Sequence, residues 1–465
     1  MDLVLQKDLD LLSNLLEETK NNGLEFLKTV DGRKTSTINN IDPERSLNQK
    51  GLGAAKTLEV FKERFDEVLV ASTGARYWGY VTGGATPASI MGDWLATVYD
   101  QNTQGMTGQG DVSAIIELET IELLKSLLNI SGEFLGGFVT GATMSNFTCL
   151  SVARQWYGKQ IGKDYAKEGV SDTLNILSAT PHSSSVKALA MLGVGSRNII
   201  KVKIVEGNRE AIDVEDLEKK IKELKGKPFI LISSAGTVNT VDFDDFLAIE
   251  KLKKKYNFWW HIDAAFGAFV ACSSKYSHLL KGWNEADSIT TDCHKWLNVP
   301  YESAFYLIKR EYNLLQVESF QNSNAPYLGD PLENFNYLNF LPENSRRLKA
   351  LPAWFTLKAY GKEGYKEIIE RNIELAKKFG DFIVESKDFE LLAPVRLNTV
   401  CFTLKGKEES SARFLHLLNK KGAVFMTPTV YKGKKGIRAA IVNWRTVEKD
   451  VFLAIEVMEQ TVNEL

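Results

Sequence analysis

From about residue 75 onward, short apolar runs alternate with helical patterns, and this alternation constrains the fold more than any other feature of the sequence. The runs are continuously apolar, as in LNILSAT, PFILISSAGT, FWWHIDAAF and SAFYLIK. Strands of this kind are buried on both faces, which is typical of parallel strands joined by helices such as SSVKALAML and FDDFLAIEKLKKKY. We therefore predict an α/β protein with a large, mostly parallel sheet covered on both faces.

The pattern predicts three regions along the chain. Residues 1–60 are expected to form helices separated by a polar loop, and residues 61–344 to form the large α/β domain. Residues 345–465 begin with a long helical stretch, followed by the short strands TVCFTL and IRAAIVN and two further helices, SARFLHLLNKKG and VEKDVFLAIEVMEQTV. These elements predict a smaller α+β domain. The connecting segment QNSNAPYLGDPLENFNYLNFLPENS is long and rich in Asn and Pro, and such loops are often functional.

Composition argues against several classes of protein. The formal net charge is −2, so no global basic field favours nucleic acid or an anionic membrane. The N-terminal stretch MDLVLQKDLDLLSNLL carries acids inside its apolar pattern, and we expect neither a secretory signal nor a bilayer-spanning segment. The four cysteines form no CxxC pair and the five histidines no HExxH motif. We therefore expect a cytoplasmic protein without a metal site.

Polar residues that could bind or react with a ligand follow several of the predicted strands. In an α/β sheet, ligands bind outside the carboxyl ends of the strands. Asp263 is the most informative, because an acid inside FWWHIDAAF must find a partner or stay protonated. The segment VTGATMSN follows a strand and opens a helix, which Thr143 or Ser145 could cap, and its amides and hydroxyls suit a phosphate. The other strand-end candidates are His182, Thr237, Asn239, His294 and Lys295.

Taken singly, each of these signals has an ordinary structural explanation. A small-residue loop before a helix is more often plain capping, and a lone histidine more often a satisfied structural residue. Taken together they suit one ligand, a phosphorylated aromatic aldehyde. Lys295 would form a Schiff base with the aldehyde, and Asp263 would keep a ring nitrogen protonated so that the ring accepts electrons. With His182 stacked on the ring and the phosphate held at the helix start, the predicted cofactor is pyridoxal 5′-phosphate.

Eight sequence pieces resemble the pyridoxal-phosphate-dependent group II amino-acid decarboxylases, which include the aromatic-amino-acid, histidine and glutamate decarboxylases. The most specific are HIDAAFGA and DCHKW, in which Lys295 follows Asp263 by 32 residues. The resemblance covers nearly the whole chain. The other pieces are ARYWGYVTGGATPASIMGDWL, VTGATMSNFTCL, ATPHSSSVKALAMLG, AGTVNTVDFDD, SRRLKALPAWFTLKAYGKEGY and IRAAIVNWRTVEKDV.

The resemblance implies an aspartate aminotransferase-like type I fold, a homodimer with its active site at the subunit interface, and a set of cofactor contacts. Lys295 resembles the Schiff-base lysine and His294 a phosphate contact. Asp263 resembles the partner of the ring nitrogen, Ala265 the residue beneath the ring and His182 the stacking residue. The remaining expected cofactor contacts are Ala142 and Thr143 in the phosphate loop, with Thr237 and Asn239.

The resemblance also indicates residues that would meet the substrate. Arg438 matches a position that holds the substrate carboxylate in glutamate decarboxylases. Tyr80 and Thr82 lie in the piece expected to line the substrate pocket, where Tyr77, Trp78 and Tyr80 hint at an aromatic or bulky substrate. Tyr327 resembles a loop tyrosine that protonates the substrate carbon after CO2 leaves, although an ordinary loop aromatic is an equal alternative.

The chain departs from the animal members of this family at two places near the expected cofactor. GTVN stands where those enzymes have GTTT, so Val238 replaces a threonine. Asp292 and Cys293 stand where they commonly have Asn-Pro before HKW. The identity of the substrate is therefore not carried over from any one relative.

We predict that the protein converts an L-amino acid to the corresponding amine and CO2. Other reactions of the same cofactor remain alternatives, namely oxidative deamination to an aldehyde, carbon–carbon lyase chemistry and transamination. A protein that binds the cofactor without turnover is a further alternative.

Overall fold

The computed structural model describes residues 1–39, 41–105, 112–321 and 335–465. Its main sheet has the strand order β1-β7-β6-β5-β4-β2-β3. Strands β2 to β6 pair in parallel, whereas β7 runs antiparallel to β1 and β6. The predicted mostly parallel sheet is confirmed. The strands are β1 (Phe134–Val139), β2 (Ile176–Ser178), β3 (Ile199–Lys201), β4 (Ile230–Ser234), β5 (Trp259–Asp263), β6 (Ser288–Asp292) and β7 (Ala304–Lys309).

Helices cover both faces of this sheet. The helices of the described residues are α1 (Leu3–Asp10), α2 (Leu12–Thr29), α3 (Ala54–Phe65), α4 (Pro87–Tyr99), α5 (Ser113–Leu128), α6 (Ala142–Gln160), α7 (Tyr165–Glu168), α8 (Ser183–Met191), α9 (Val214–Glu223), α10 (Phe246–Lys255), α11 (Asn313–Phe320), α12 (Ala350–Glu385), α13 (Ser411–Lys421) and α14 (Glu448–Val462).

Consecutive residues of β5 point to opposite faces of the sheet, and this places its polar residues. Trp259 packs near Trp156 of α6, whereas Trp260 packs near Phe246 of α10. Because side chains alternate along a strand, His261 and Asp263 share the face of Trp259 and α6. The lone acid of the apolar run is thereby directed toward the start of α6.

The antiparallel direction of β7 was not predicted. The segment between β6 and β7, residues 293–303, is too short for the crossover that a parallel connection needs, so the chain reverses direction instead. This reversal carries His294 and Lys295 at the carboxyl end of β6.

The C-terminal region forms a second, antiparallel sheet with the order β10-β11-β9-β8. The predicted strands β9 (Thr399–Leu404) and β11 (Lys434–Ala440) are present, as are the two helices α13 and α14. The strands β8 (Phe389–Leu391) and β10 (Thr427–Tyr431) were not predicted. Strand β10 joins β11 through Lys432 and Gly433, both at positive φ, as in a tight type I′ hairpin.

Helix α12 connects the two sheets. Leu351 and Leu357, in its first half, belong to the core beneath the large sheet, whereas Phe379 and Ile383 belong to the C-terminal core. The helix is interrupted at Gly361, where φ is +56°. The domain boundary near residue 345 stays a prediction, because this helix contributes to both cores.

The N-terminal helices were predicted correctly and lie at the surface. No residue of α1, α2 or α3 is buried. The leucines of α1 and α2 include Leu5 and Leu16, which are 64% and 54% exposed. No helix within the described ranges combines the length and the apolar character needed to cross a membrane.

Candidate active site

A cleft of about 560 Å³ lies at the carboxyl ends of the parallel strands, where the sequence placed the site. Seven of the predicted site residues line it: Tyr80, His182, Thr237, Asp263, Ala265, Lys295 and Arg438. The others, Thr82, Ala142, Thr143, His294 and Asn239, do not line this cleft, and Tyr327 lies outside the described residues.

Lys295 is held by an acid at the end of β6. Its Nζ atom lies 2.7 Å from Oδ2 of Asp292, whose Oδ1 accepts a hydrogen bond of 2.6 Å from the amide of Ala142. Asp292, one of the departures from the animal enzymes, therefore joins the lysine to the first residue of α6. On the other side, Gly83 packs so closely that an added Cβ would lie 1.7 Å from the carbonyl oxygen of Lys295. Only a glycine fits against the lysine backbone at this point.

His294 presents an N–H group toward the start of α6. Its Nδ1 accepts a hydrogen bond of 3.3 Å from the amide of Ser303, so in the neutral ring the proton resides on Nε2, 3.6 Å from Asp292. Tyr301 stacks on the ring, with centroids 4.3 Å apart. Burial lowers the pKa of His294 below its ordinary value, which favours this neutral donor form.

The first turn of α6 offers amides, but not the Ser145 hydroxyl that the sequence suggested. Gly141 is the N-cap residue and no side chain caps the helix, so the prediction that Thr143 or Ser145 caps it is wrong. Ser145 is buried and donates instead toward Thr290 and the carbonyl of Phe305. The first-turn amides have no acceptor within their own helix, which makes this terminus suited to an anion.

Asp263 is 7% exposed and receives hydrogen bonds from three residues. Oδ2 accepts from Nδ2 of Asn146 at 3.1 Å and from the hydroxyl of Ser185 at 3.2 Å. Oδ1 accepts from the amide of Ala265 at 3.3 Å. The sequence argument that this acid must find partners is thus satisfied, and every partner found in the described residues is a donor.

His182 stands at the start of α8 with one face on the cleft. Its Nδ1 accepts from the amide of Ser184 at 3.2 Å and lies 2.7 Å from the Ser184 hydroxyl. Desolvation by the cleft walls lowers the pKa of His182, and the positive charges of Lys295 and Arg438 act in the same direction. The neutral ring then carries its proton on Nε2.

Arg438 brings a positive charge to the cleft that no carboxylate neutralises within the described residues. Its one hydrogen bond in this part of the chain is a 3.3 Å contact to the carbonyl of Val238. Burial lowers its pKa, as expected for a guanidinium withdrawn from water without an ion-pair partner. Arg438 therefore has donors available for an incoming anion.

Thr237 and Asn239 are engaged with other residues. The hydroxyl of Thr237 donates to Oε2 of Glu210 at 2.6 Å, and Thr240 donates to the same oxygen at 2.7 Å. Asn239 bonds to Thr429 and the carbonyl of Val430 in the small sheet. Thr237 thus lines the cleft, but its hydroxyl proton is already donated to Glu210. Asn239 instead connects the segment that follows β4 to the small sheet.

The aromatic residues expected near the substrate divide between pocket and core. Tyr80 lines the cleft and is 61% exposed. Trp78 is 1% exposed and packs against Phe379 of the C-terminal core, so it is not a pocket residue. Thr82 is buried and pairs through its hydroxyl with Tyr301 at 3.0 Å.

Several residues of the site were missed by the sequence analysis. Glu210 lines the cleft as an additional carboxylate, and Tyr301 packs on His294. Asn146 and His261 are buried beside Asp263. The HIDAA piece contains His261, and strand alternation could have placed it on the side of Asp263, but Asn146 had no sequence signal.

The donor set fits pyridoxal phosphate and gives no support to a metal. An amine, a buried carboxylate and an imidazole line the same cleft, and amides of the first turn of α6 lie beside Asp292. Among the described residues, no group of three or more His, Cys, Asp or Glu side chains could hold a metal ion.

Comparison with known proteins assigns the family. The model of the pyridoxal-dependent decarboxylase conserved domain matches residues 66–405. The aromatic-L-amino-acid decarboxylase of Bacillus atrophaeus is 31% identical over 392 residues, which cover 81% of this chain and 78% of the relative. The phenylacetaldehyde synthase of Petunia hybrida is 26% identical over 78% of this chain and 76% of the relative.

The fold agrees with that of a solved relative. This chain superimposes on the crystal structure of Oryza sativa TDC with PLP (pyridoxal phosphate) and tryptamine. The TM-score is 0.88 at 20% sequence identity, and the superposition covers 98% of each chain. The chain belongs to the pyridoxal-dependent decarboxylase family and acts on an amino acid with pyridoxal phosphate as its cofactor.

Proposed function

We propose that the protein removes the α-carboxylate of an L-amino acid as CO2, with Lys295 holding the cofactor and Arg438 binding the substrate carboxylate. The observation that carries this assignment is the cleft itself. It brings an amine, a buried carboxylate that only donors surround, and a guanidinium without an ion-pair partner in the described residues to one volume of about 560 Å³. These are the groups that such a reaction requires.

Pyridoxal phosphate, when bound, accepts electron density from the bond between the α-carbon and its carboxylate. Asp263, whose Oδ2 accepts from Asn146 and Ser185, would hold a proton on the ring nitrogen. His294 contributes the N–H of Nε2, and the α6 amides around Thr143 contribute further donors for the phosphate. Ala265 leaves room beneath the ring.

Arg438 orients the substrate by its carboxylate, and the partly buried guanidinium forms stronger hydrogen bonds than it would in water. Lys295 would hold the cofactor through its amine and give it up to the substrate amine, and Asp292, 2.7 Å from Nζ, would take part in the accompanying proton exchange. His182, with its proton on Nε2, is positioned on the cleft to return a proton to the α-carbon. Tyr327 is the other candidate for this step.

Tyr80 is proposed to form the wall that meets the substrate side chain, with Thr82 outside the cleft as its support. Tyr80 is exposed on the cleft, and Thr82 supports this wall through its pairing with Tyr301. A cleft that also contains Glu210 and Arg438 does not single out an aromatic substrate. We therefore assign the substrate class as an L-amino acid and leave its side chain to experiment.

Oxidative deamination is the second candidate reaction, because a similar protein from Petunia hybrida is a phenylacetaldehyde synthase. That reaction consumes O2 and water and yields an aldehyde, ammonia, CO2 and hydrogen peroxide. Decarboxylation consumes no O2 and yields the amine and CO2. The products thus separate the two reactions without reference to any single residue.

We further propose a cytoplasmic homodimer whose subunits meet through the N-terminal helices. Helices α1 and α2 contain no buried residue, and Leu5, Leu9, Leu12 and Leu16 each expose about half or more of their surface. An apolar helical face of this size is costly in water and suits burial against a second copy. Sedimentation of the purified protein tests this arrangement, with a monomer as the contradicting result.

The experiment that tests the function is a product assay with the twenty common L-amino acids and L-2,4-diaminobutyrate, in air and under argon. Decarboxylation predicts equal amounts of amine and CO2 from one substrate in both atmospheres, and none from Lys295→Ala. Aldehyde and peroxide that appear only in air would establish the second reaction. A folded, cofactor-loaded protein without any product would refute both.

A further inference from the structure

A chain of hydrogen bonds with one consistent direction runs beneath the cleft, behind the residues described so far. It begins at Trp259, whose Nε1 donates to the hydroxyl of Ser288 at 3.0 Å. That hydroxyl lies 2.9 Å from Nδ1 of His261, and Nε2 of His261 lies 2.8 Å from Oδ1 of Asn146. These four residues are fully buried. The chain then reaches Asp263 through Asn146.

The partners fix the direction of every bond in this chain. Asn146 must present its Nδ2 to Asp263, because a carboxylate only accepts. Its Oδ1 therefore faces His261 and needs a donor, so the proton of His261 resides on Nε2. Nδ1 of His261 is left to accept from Ser288, whose oxygen accepts from Trp259. Burial lowers the pKa of His261 to about 4, so the ring is neutral as this pattern requires.

Asn146 also reaches α8, the helix that begins beside His182. Its Nδ2 lies 3.1 Å from the hydroxyl of Ser184, as well as 3.1 Å from Asp263. The two amide protons can serve both acceptors. The Ser184 hydroxyl, having accepted this proton, directs its own proton to Nδ1 of His182 at 2.7 Å. One asparagine thus connects Asp263, the proposed partner of the ring nitrogen, with His182, the proposed stacking residue.

We propose that Asn146 is a positioning residue that holds Asp263 as a hydrogen-bond acceptor and turns the Ser184 hydroxyl toward Nδ1 of His182, and that neutral His261 holds Asn146 in this orientation. The inference rests on the proposed role of Asp263 toward the cofactor ring. Without the amide of Asn146, Asp263 loses one of its donors and becomes a stronger base. The proton shared with the ring nitrogen then shifts toward the carboxylate.

The test uses Asn146→Ala with Asn372→Ala as a matched control. Asn372 is also fully buried and hydrogen-bonded, to Trp296 and the carbonyl of Asn443, but has no bond to Asp263. Two quantities are measured besides thermal stability. They are the Kd of the apo-protein for pyridoxal phosphate and the 15N chemical shift of a bound cofactor labelled at its ring nitrogen.

We expect Asn146→Ala to raise the Kd by about tenfold, because an Asp263 side chain that Asn146 no longer holds must be immobilised when the cofactor binds. The 15N shift should move toward the unprotonated value. Asn372→Ala should lower the melting temperature but leave both quantities near those of the wild type. A folded Asn146→Ala protein with wild-type Kd and 15N shift would overturn the proposal.

A second pair of variants keeps the asparagine in place and applies even if Asn146→Ala does not fold. His261→Gln retains a donor and an acceptor at similar positions and should behave like the wild type. His261→Leu retains neither, so it should weaken cofactor binding and move the 15N chemical shift of the ring nitrogen toward the unprotonated value. Equal values for these two variants would contradict the proposed role of His261.

The variant Asp263→Asn distinguishes a wrong role for Asn146 from a wrong role for Asp263 toward the ring nitrogen. If Asp263→Asn changes the Kd and the 15N shift while Asn146→Ala changes neither, only the role of Asn146 is wrong. If Asp263→Asn also leaves both unchanged, the proposed role of Asp263 itself is wrong.

Discussion

Replacement of Arg438 by glutamine is expected to lower kcat/KM far more than it lowers cofactor affinity. The guanidinium is withdrawn from water, lines the cleft, and has a single 3.3 Å hydrogen bond within the described chain, to the carbonyl of Val238. A substrate carboxylate would therefore form charge-assisted hydrogen bonds that nothing else in this part of the chain replaces. Such bonds contribute about 1.5–3 kcal/mol, which corresponds to a loss of about 10- to 150-fold in kcat/KM.

Steady-state assays of CO2 release, with the best substrate of the wild type, measure this loss. Arg438→Lys keeps the charge without the planar fork and should fall between the wild type and Arg438→Gln. Arg445→Gln is the matched control, because burial also lowers the pKa of Arg445 but that side chain lies over Trp444 and does not line the cleft. Equal kcat/KM values for Arg438→Gln and the wild type would refute the assignment of Arg438.

Three further predictions concern stability. The pKa of His261 is lowered to about 4 from an ordinary value of 6.5, so between these pH values the unfolded chain binds a proton that the folded chain does not. The free energy of unfolding should therefore fall by about 3 kcal/mol as the pH drops from 6.5 to 4. Urea titrations should show a smaller fall for His261→Gln. Gly83→Ala should lower the free energy of unfolding by about 3 kcal/mol or more and weaken cofactor attachment, because the added Cβ would overlap the carbonyl oxygen of Lys295. Gly132→Ala is the control, because the space around Gly132 is open, and it should change the free energy of unfolding by less than about 0.5 kcal/mol in the same titration. Glu117→Gln should lower the free energy of unfolding by about 3–5 kcal/mol, because it removes the negative charge that neutralises the buried guanidinium of Arg346 at 2.6 Å. A change below about 1 kcal/mol in thermal or urea unfolding would contradict this account.

The large sheet was predictable because its buried strands are continuously apolar and helices separate them. Asp263 and Lys295 were predictable for a related reason, since a buried acid and a lysine at strand ends are costly unless they serve a ligand. The direction of β7 was not predictable from periodicity. It depends on the length of the segment that carries Lys295, and the apolar pattern of a strand is the same in either direction.

The hydrogen-bond network around Asp263 could not be predicted from the sequence, for a different reason. Asn146 lies 117 residues from Asp263 along the chain and 3.1 Å from it in space. Nothing in a single sequence pairs an asparagine inside a helix with a strand acid that distant. The hydroxyl of Ser145 was misassigned for the same reason, because its acceptors on β6 and β7 are visible only in the folded chain. The prediction for Tyr327 stays a prediction.

Borohydride reduction of the purified protein, followed by digestion and mass spectrometry, tests the central claim most directly. The account predicts that reduction fixes pyridoxal phosphate to the peptide that contains Lys295, the amine that lies 2.7 Å from Asp292 in the cleft. The cofactor attached to a different lysine, or no attachment after incubation with pyridoxal phosphate, would contradict it.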